Sequence, residues 1–438
     1  RRLLDDGVDL DALDLTDLDA AYRAAQAAAR SDDRGMAIVQ ERRIGPHRVA
    51  EMDIVDEDAR ASRAAAGDTL VRLQQGDSDL VEAWEKLIEC TMRAVYESLD
   101  LLNVSMDASN NRGESFYRDH LPEVVDAFES AGMASEDAGA LVVRFDDRDR
   151  PMLIRKSDGG FLYATTDLAA VRNRVVHENA DRLIYVVDAR QRDHFRDVFD
   201  AARLAGWGKT PDGHDVDMVH IPFGSVLGAD KKPLKTRSGE NVTLASLLGE
   251  AIDRGRAEVH RRAEDERSPT HDLDKKTLDA IGRSVGIGAV KYADLSNDLV
   301  RDYVFDMDRM ITFEGDTGPY LQYAHARMCS ILRKVELNQE EWIEAPFLLN
   351  EPTERALALR LMQWGDAVEG ASIHLEPHRI CAFLHELSED FNGFYQQCPV
   401  RQAPEKSIQK ARVRLCDLTR RVLADGLDLL GIDAPDTM

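Results

Sequence analysis

Three blocks between Ser157 and Glu240 decide the fold: 157-SDGGFLYATTDLAA-170, 180-ADRLIYVVDARQRDHF-195 and 220-HIPFGSVLGADKKPLKTRSGE-240. The first pairs an Asp-Gly-Gly turn signal with flanking apolar runs, MLIRK and FLYAT, and so predicts a hairpin that leads into a helix. Thr165 or Thr166 is the expected cap, and Leu168, Val171 and Val175 mark the helix's apolar face. In the second block, RLIYVVD is a continuous apolar run, the pattern of a strand buried on both faces. It ends in polar residues, and DVFDAARLAGW after it reads as a helix packing back. Strand, helix, strand in this rhythm implies a parallel α/β sheet. Ligand sites in such sheets lie beyond the carboxyl ends of the strands. The third block is a basic loop, in which Gly228 and Gly239 bracket Lys231, Lys232, Lys235 and Arg237.

Working outward, ALVVRF and PMLIRK read as further short strands. Residues 1 to about 105 look helical and acidic. DTLVRLQQGDSDLVEAWEKL reads as two helices broken at Gly76-Asp77, with Leu80, Trp84, Leu87 and Met92 on one face. The last part is again helical. Phe383, Leu387, Phe391 and Phe394 form one stripe, stopped near Pro399. Ile408, Leu415, Leu418, Val422 and Leu429 mark a final helix that ends at Gly431. The boundaries read from this are 1–105, 106–265 and 266–438.

The chain has 438 residues, 43% apolar and 31% charged, enough for two or three cores. No apolar run nears the ~20 residues a membrane helix needs, and no leader pattern is present; the expectation is no membrane contact. The five cysteines are scattered and never CxxC, which argues against disulfides or a zinc site and fits a reducing cytoplasm. The net charge of −25 argues against nucleic acid as a bulk partner, though a local basic patch can still hold it.

The chemistry-bearing residues follow from these elements. Tyr163 and Asp167 are four apart, at the end of the hairpin strand and in the first helical turn after it. Gln191 and His194 follow the RLIYVVD strand. A planar guanidinium needs a carboxylate for a forked pair of hydrogen bonds, and neutral acceptors for the rest. Asp167 can supply the first, and Tyr163 and Gln191 the others. A lysine ligand leaves such acceptors unpaired. A closing basic loop can neutralise a triphosphate; the bland reading is a solvated turn. Farther on, Tyr320, Tyr323 and Arg327 share one helix face, either as packing or as a platform for unstacked bases.

The order and wording of the three blocks, with 285-VGIGAVKYADLSNDL-299, 313-FEGDTGPYLQYAHAR-327 and 391-FNGFYQQCP-399, resemble arginyl-tRNA synthetase, a class I aminoacyl-tRNA synthetase, over roughly three quarters of the chain. The resemblance implies a partial Rossmann-like nucleotide-binding domain with a helical connective insertion, followed by a helical anticodon-binding bundle. It implies an arginine–tRNA ligase using ATP and Mg²⁺, with tRNA, L-arginine and ATP as partners, working in the cytoplasm as a monomer. Tyr163, Asp167 and Gln191 would contact arginine. His194, Lys232 and Lys235 would contact ATP, with Lys235, Thr236 and Arg237 as the core of the family's mobile phosphate loop. Tyr320, Tyr323, Arg327 and the terminal Met438 would contact the anticodon arm, and no protein-bound metal is implied. No His-x-Gly-His tetrad of the class I signature occurs in the sequence. The expected account is that Arg1 lies downstream of the tetrad and of the family's N-terminal domain. The rival expectation is a non-catalytic tRNA-binding fragment or paralog. Cysteinyl-tRNA synthetase, with a similar helical domain, is a weaker match because its zinc ligands are not clustered here.

Overall fold

The computed structural model describes residues 2–30, 46–232 and 243–438. The chain divides into two compact units, 1–107 and 108–438. The first is helical: α1 (Leu15–Ala28), α2 (Pro46–Gln74) and α3 (Ser78–Leu101). Asp14 and Asp17 close a reciprocal capping box at the start of α1. Asp77 caps α3 at the predicted break, accepting from the Leu80 N–H, and pairs with Arg72 at 2.6 Å. The buried face of α3 is Leu80, Ala83 and Cys90, with Leu87 packed beside them. Trp84 and Met92 are only partly buried. The Cys90 thiol donates to the Leu13 carbonyl.

The second unit opens with α4 (Leu121–Ser130) and a three-stranded antiparallel sheet of β1 (Ala134–Asp137), β2 (Ala140–Phe145) and β3 (Arg148–Arg155). ALVVRF and PMLIRK are therefore partners of one another, joined by a turn at Asp146-Asp147. FLYAT is not a strand: after Ser157-Asp158-Gly159-Gly160 only Phe161 bridges back to Arg155. The chain turns straight into α5 (Tyr163–Arg172). Thr165 lies inside this helix, with its hydroxyl on the Ile154 carbonyl at 2.5 Å and within reach of the Leu162 N–H. It ties the helix start to β3 instead of preceding the helix as a cap.

The parallel pair is β4 (Arg182–Asp188) and β5 (Asp217–Phe223), linked through α6 (Arg192–Leu204). Its core face carries Leu183, packed with Val198, Phe199 and Met218. The other face of β4 is not buried as predicted, since Ile184 is 45% and Val186 58% exposed. Among the described residues β4 has one neighbour, β5, and the helices cover one side only.

A short parallel pair, β6 (Val226–Leu227) with β7 (Tyr303–Val304), joins the region after β5 to the helical part. Helices α7 (Leu244–Ala263) and α8 (Lys275–Leu295) pack closely. A Cβ on Gly286 would lie 2.3 Å from the Ala251 carbonyl, and one on Gly255 2.3 Å from the Gly282 carbonyl. Hydrogen in place of a side chain is what permits this approach. The rest is α9 (Gly318–Arg333), α10 (Pro352–Met362), α11 (Trp364–His374), α12 (His378–Gln397) and α13 (Lys406–Leu429). Phe383, Leu387, Phe391 and Phe394 are buried as the stripe predicts. On α13 the buried residues include Leu415, Val422, Leu423 and Leu427, while Leu429 is exposed. Gly431 takes φ +63° just past the helix end.

Candidate functional site

Two helices begin side by side beyond the carboxyl end of β4. Asp188 ends the strand and accepts from the Arg190 backbone and guanidinium, which together hold its carboxyl down at about 2. Gln191 is exposed at the start of α6, and His194 sits in its first turn. Opposite, Tyr163 is the first residue of α5, not the end of a strand, and is 74% exposed. Asp167 is one turn further along. The two helices meet through these side chains: His194 Nε2 lies 2.6 Å from Asp167 Oδ2, each about two-thirds buried. His194 packs edge-on against Phe195, which stacks on His220 and leans on Tyr185. His220 Nε2 reaches the Val187 carbonyl at 3.1 Å. Tyr185 accepts from Arg174, and burial pushes its phenol up to about 12. A carboxylate thus stands at the rim of an aromatic floor, with Tyr163 and Gln191 in solvent around it.

This arrangement can accept a planar cation. Asp167 offers two oxygens, of which His194 engages one, and a guanidinium with five N–H donors can compete for that oxygen or share it. A neighbouring cleft of about 410 Å³ between α6 and β5, lined by Arg192, Arg196 and His220 among others, contains none of the predicted site residues. Lys232 is exposed in a tight turn after β6, its carbonyl accepting from the Gly228 N–H at 2.8 Å. Lys235, Thr236 and Arg237 lie outside the described residues.

On α9, Tyr320 accepts from Asn392 at 2.8 Å and packs against His385, and Arg327 lies 4.4 Å from the Tyr395 ring. Tyr323 leans the other way, edge-on to Phe313, which Arg262 covers at 3.7 Å. Met438 is buried in this same cluster. The structure therefore brings Tyr323 and Met438 together, and sets Tyr320 and Arg327 against α12.

The family model described as "tRNA synthetases class I (R), catalytic domain" matches residues 15–307. The chain belongs to the class I arginyl-tRNA synthetase family. The model for the DALR anticodon binding domain matches 321–438, so the chain joins a class I synthetase catalytic domain to a helical anticodon-binding fold. Curated relatives named arginine–tRNA ligase include those of Frankia casuarinae, 46% identical over 90% of this chain and 65% of its own length, and of Cutibacterium acnes, 43% identical over 84% and 63%. The chain thus spans less than two thirds of these relatives' length. Similar solved structures are arginyl-tRNA synthetase from Plasmodium falciparum (TM-score 0.75, 26% identity, 92% of this chain and 67% of that one) and from Thermus thermophilus (TM-score 0.67, 26% identity, 92% and 69%).

Sequence reasoning missed how the C-terminal segment is held. Gln322, His325, Cys329 and Arg333 are spaced i, i+3, i+7, i+11 along α9, and all four bind the C-terminal segment. Gln322 Nε2 donates to the Asp433 carbonyl at 2.8 Å and His325 Nδ1 to that of Pro435 at 3.1 Å. The Cys329 thiol reaches Asp436 at 3.3 Å, and Arg333 donates to the Asp436 carbonyl at 3.1 Å. The available signal was the polar stripe itself, which runs beside the apolar Leu321, Ala324, Met328 and Ile331.

Proposed function

We propose that this chain carries the arginine pocket and anticodon-binding part of an arginine–tRNA ligase. Arginine's guanidinium is held by Asp167, with Tyr163 and Gln191 around it; ATP lies on the His194 and Lys232 side, under the loop of Lys235, Thr236 and Arg237. The arginine carboxylate attacks the α-phosphate of ATP and pyrophosphate leaves. The 2′-hydroxyl of the terminal tRNA adenosine then takes the arginyl group and AMP departs. Protein groups act mainly by positioning reactants and offsetting phosphate charge. Tyr320 with Arg327 on one side of α9, and Tyr323 beside the buried Met438 on another, are the residues proposed to meet the anticodon arm.

The observation that carries this reading is the juxtaposition of Asp167 and His194 at 2.6 Å beyond the carboxyl end of β4, in a chain whose curated relatives are named as ligases. The rival, a non-catalytic tRNA-binding paralog, is not favoured by those relatives. Mg²⁺ enters the proposal as the counter-ion of the ATP phosphates. A cytoplasmic monomer is part of the proposal; among the described residues no helix is long and apolar enough to cross a membrane. The test is aminoacylation by the complete gene product with each amino acid in turn. Charging with arginine and not lysine is expected; charging with another amino acid, or binding of tRNA without charging, contradicts the proposal.

A further inference from the structure

We propose that His325, Cys329 and Asp436 form a site for one divalent transition-metal ion of the zinc type, at the seam between α9 and the C-terminal segment. His325 and Cys329 are one helical turn apart, so their side chains stack on one face. Both are buried, at 2% and 7% exposure. Asp436 comes from the segment that crosses them and is exposed, giving an ion a route in from solvent. Their donor atoms all lie within 4.8 Å of one another. Cys329 Sγ is 3.7 Å from His325 Nε2 and 3.3 Å from Asp436 Oδ1. Zinc bonds of about 2.3 Å to sulfur and 2.0–2.1 Å to nitrogen or oxygen, at tetrahedral angles, place donors about 3.5 Å apart. The cluster thus gathers a sulfur, an imidazole and a carboxylate within reach of one ion, a side-chain rotation away from a coordination polyhedron.

Sγ stands almost equally far from the two ring nitrogens, 3.8 Å from Nδ1 and 3.7 Å from Nε2, so the ring must turn to aim Nε2 at a shared ion. A carbonyl only accepts, so the contact with the Pro435 oxygen puts the ring proton on Nδ1 and leaves the Nε2 lone pair for an ion. Metal-bound histidines are held this way by a carbonyl on the far nitrogen. One sulfur, one imidazole and one carboxylate select zinc-like ions over Mg²⁺ or Ca²⁺. On binding, the Cys329 thiol gives its proton to solvent, and thiolate and carboxylate together balance the ion's two charges. Arg333, on the Asp436 carbonyl, and Arg420, held by Asp417 at 3.0 Å, oppose a bare dication nearby; that balance offsets them. The fourth position is left for water. Scattered cysteines, none of them in a CxxC pair, argued against zinc in the sequence; this site uses one of them, and its carboxylate partner is more than a hundred residues away.

The experiment titrates the full, chelator-stripped chain with Co²⁺ alone. Expected are one equivalent bound, a thiolate-to-cobalt charge-transfer band with the visible bands of a four-coordinate ion, and displacement by Zn²⁺. Cys329→Ser should abolish the charge-transfer band. Asp436→Asn, at an exposed position that leaves the fold intact, should weaken binding by at least about tenfold. No charge-transfer band in the unaltered chain, or binding undiminished in both variants, overturns the site and leaves the three side chains as a hydrogen-bonded latch.

Discussion

His194 Nε2 and Asp167 Oδ2, 27 residues apart in sequence, stand 2.6 Å apart and join the starts of two helices. The contact steers the carboxylate, and under the proposed function the histidine has a second, separable duty, lining the nucleotide side of the pocket. His194→Ala in the complete gene product is expected to raise the KM for ATP about tenfold or more, the size of losing one hydrogen bond to a charged group. The KM for arginine should change by less than about threefold. Steady-state kinetics on both substrates separates the duties, and a rise in the arginine KM with the ATP KM unchanged would reduce His194 to a steering role.

The helical bundle contains a buried ion pair, Glu354 with Arg412 at 2.7 Å, their side chains 1% and 7% exposed. Arg412 also donates to the Pro399 carbonyl, and Glu354 accepts from the Glu351 N–H. Glu354→Ala strands the guanidinium in the interior and should cost about 3–5 kcal/mol in urea unfolding. Replacing both residues by apolar ones of similar volume should recover most of that loss.

Packing of α7 on α8 makes a signed prediction. Gly286→Ala drives a methyl to 2.3 Å from the Ala251 carbonyl and should destabilise by about 1–3 kcal/mol or more. Gly249→Ala, on α7 with nothing within 4 Å of the added carbon, should be neutral or stabilising by up to about 1 kcal/mol. Denaturant melts of the two variants check the opposite signs.

Alkali should act through buried phenols. Burial raises Tyr185, Tyr292 and Tyr303, helped by Asp316 at 2.5 Å from Tyr292 and Asp294 at 3.1 Å from Tyr303. A folded value above the unfolded one, about 10, gives stability that is complete below pH 10 and lost as pH rises beyond it. Absorbance titration at tyrosinate wavelengths should show these three ionising only with unfolding. Tyr292→Phe should leave the first titration phase unchanged.

Much of the placement of the candidate residues was legible because it is local. Tyr163 and Asp167 sit one helical turn apart, and the end of RLIYVVD places Gln191 and His194 where a parallel sheet opens. What misled was the environment of each element. A Val- and Ile-rich run shows that β4 is a strand but not that a second face is covered, and Ile184 and Val186 stand in solvent. FLYAT has strand composition, yet the chain enters a helix there because Thr165 bonds back to β3. The α9 stripe of Gln322, His325, Cys329 and Arg333 was unreadable for a different reason. Its partners are mostly backbone carbonyls about a hundred residues away, and carbonyls carry no sequence signature.

The most direct measurement is the arginine dependence of tRNA charging by Asp167→Ala and Asp167→Asn in the complete gene product. Both variants remove the charge, and Asp167→Asn keeps the side chain's shape. A drop in kcat/KM for arginine of about a hundredfold or more in each, carried by KM, is the predicted result for a forked carboxylate–guanidinium contact. Charging that keeps its normal arginine dependence in both variants would contradict the account.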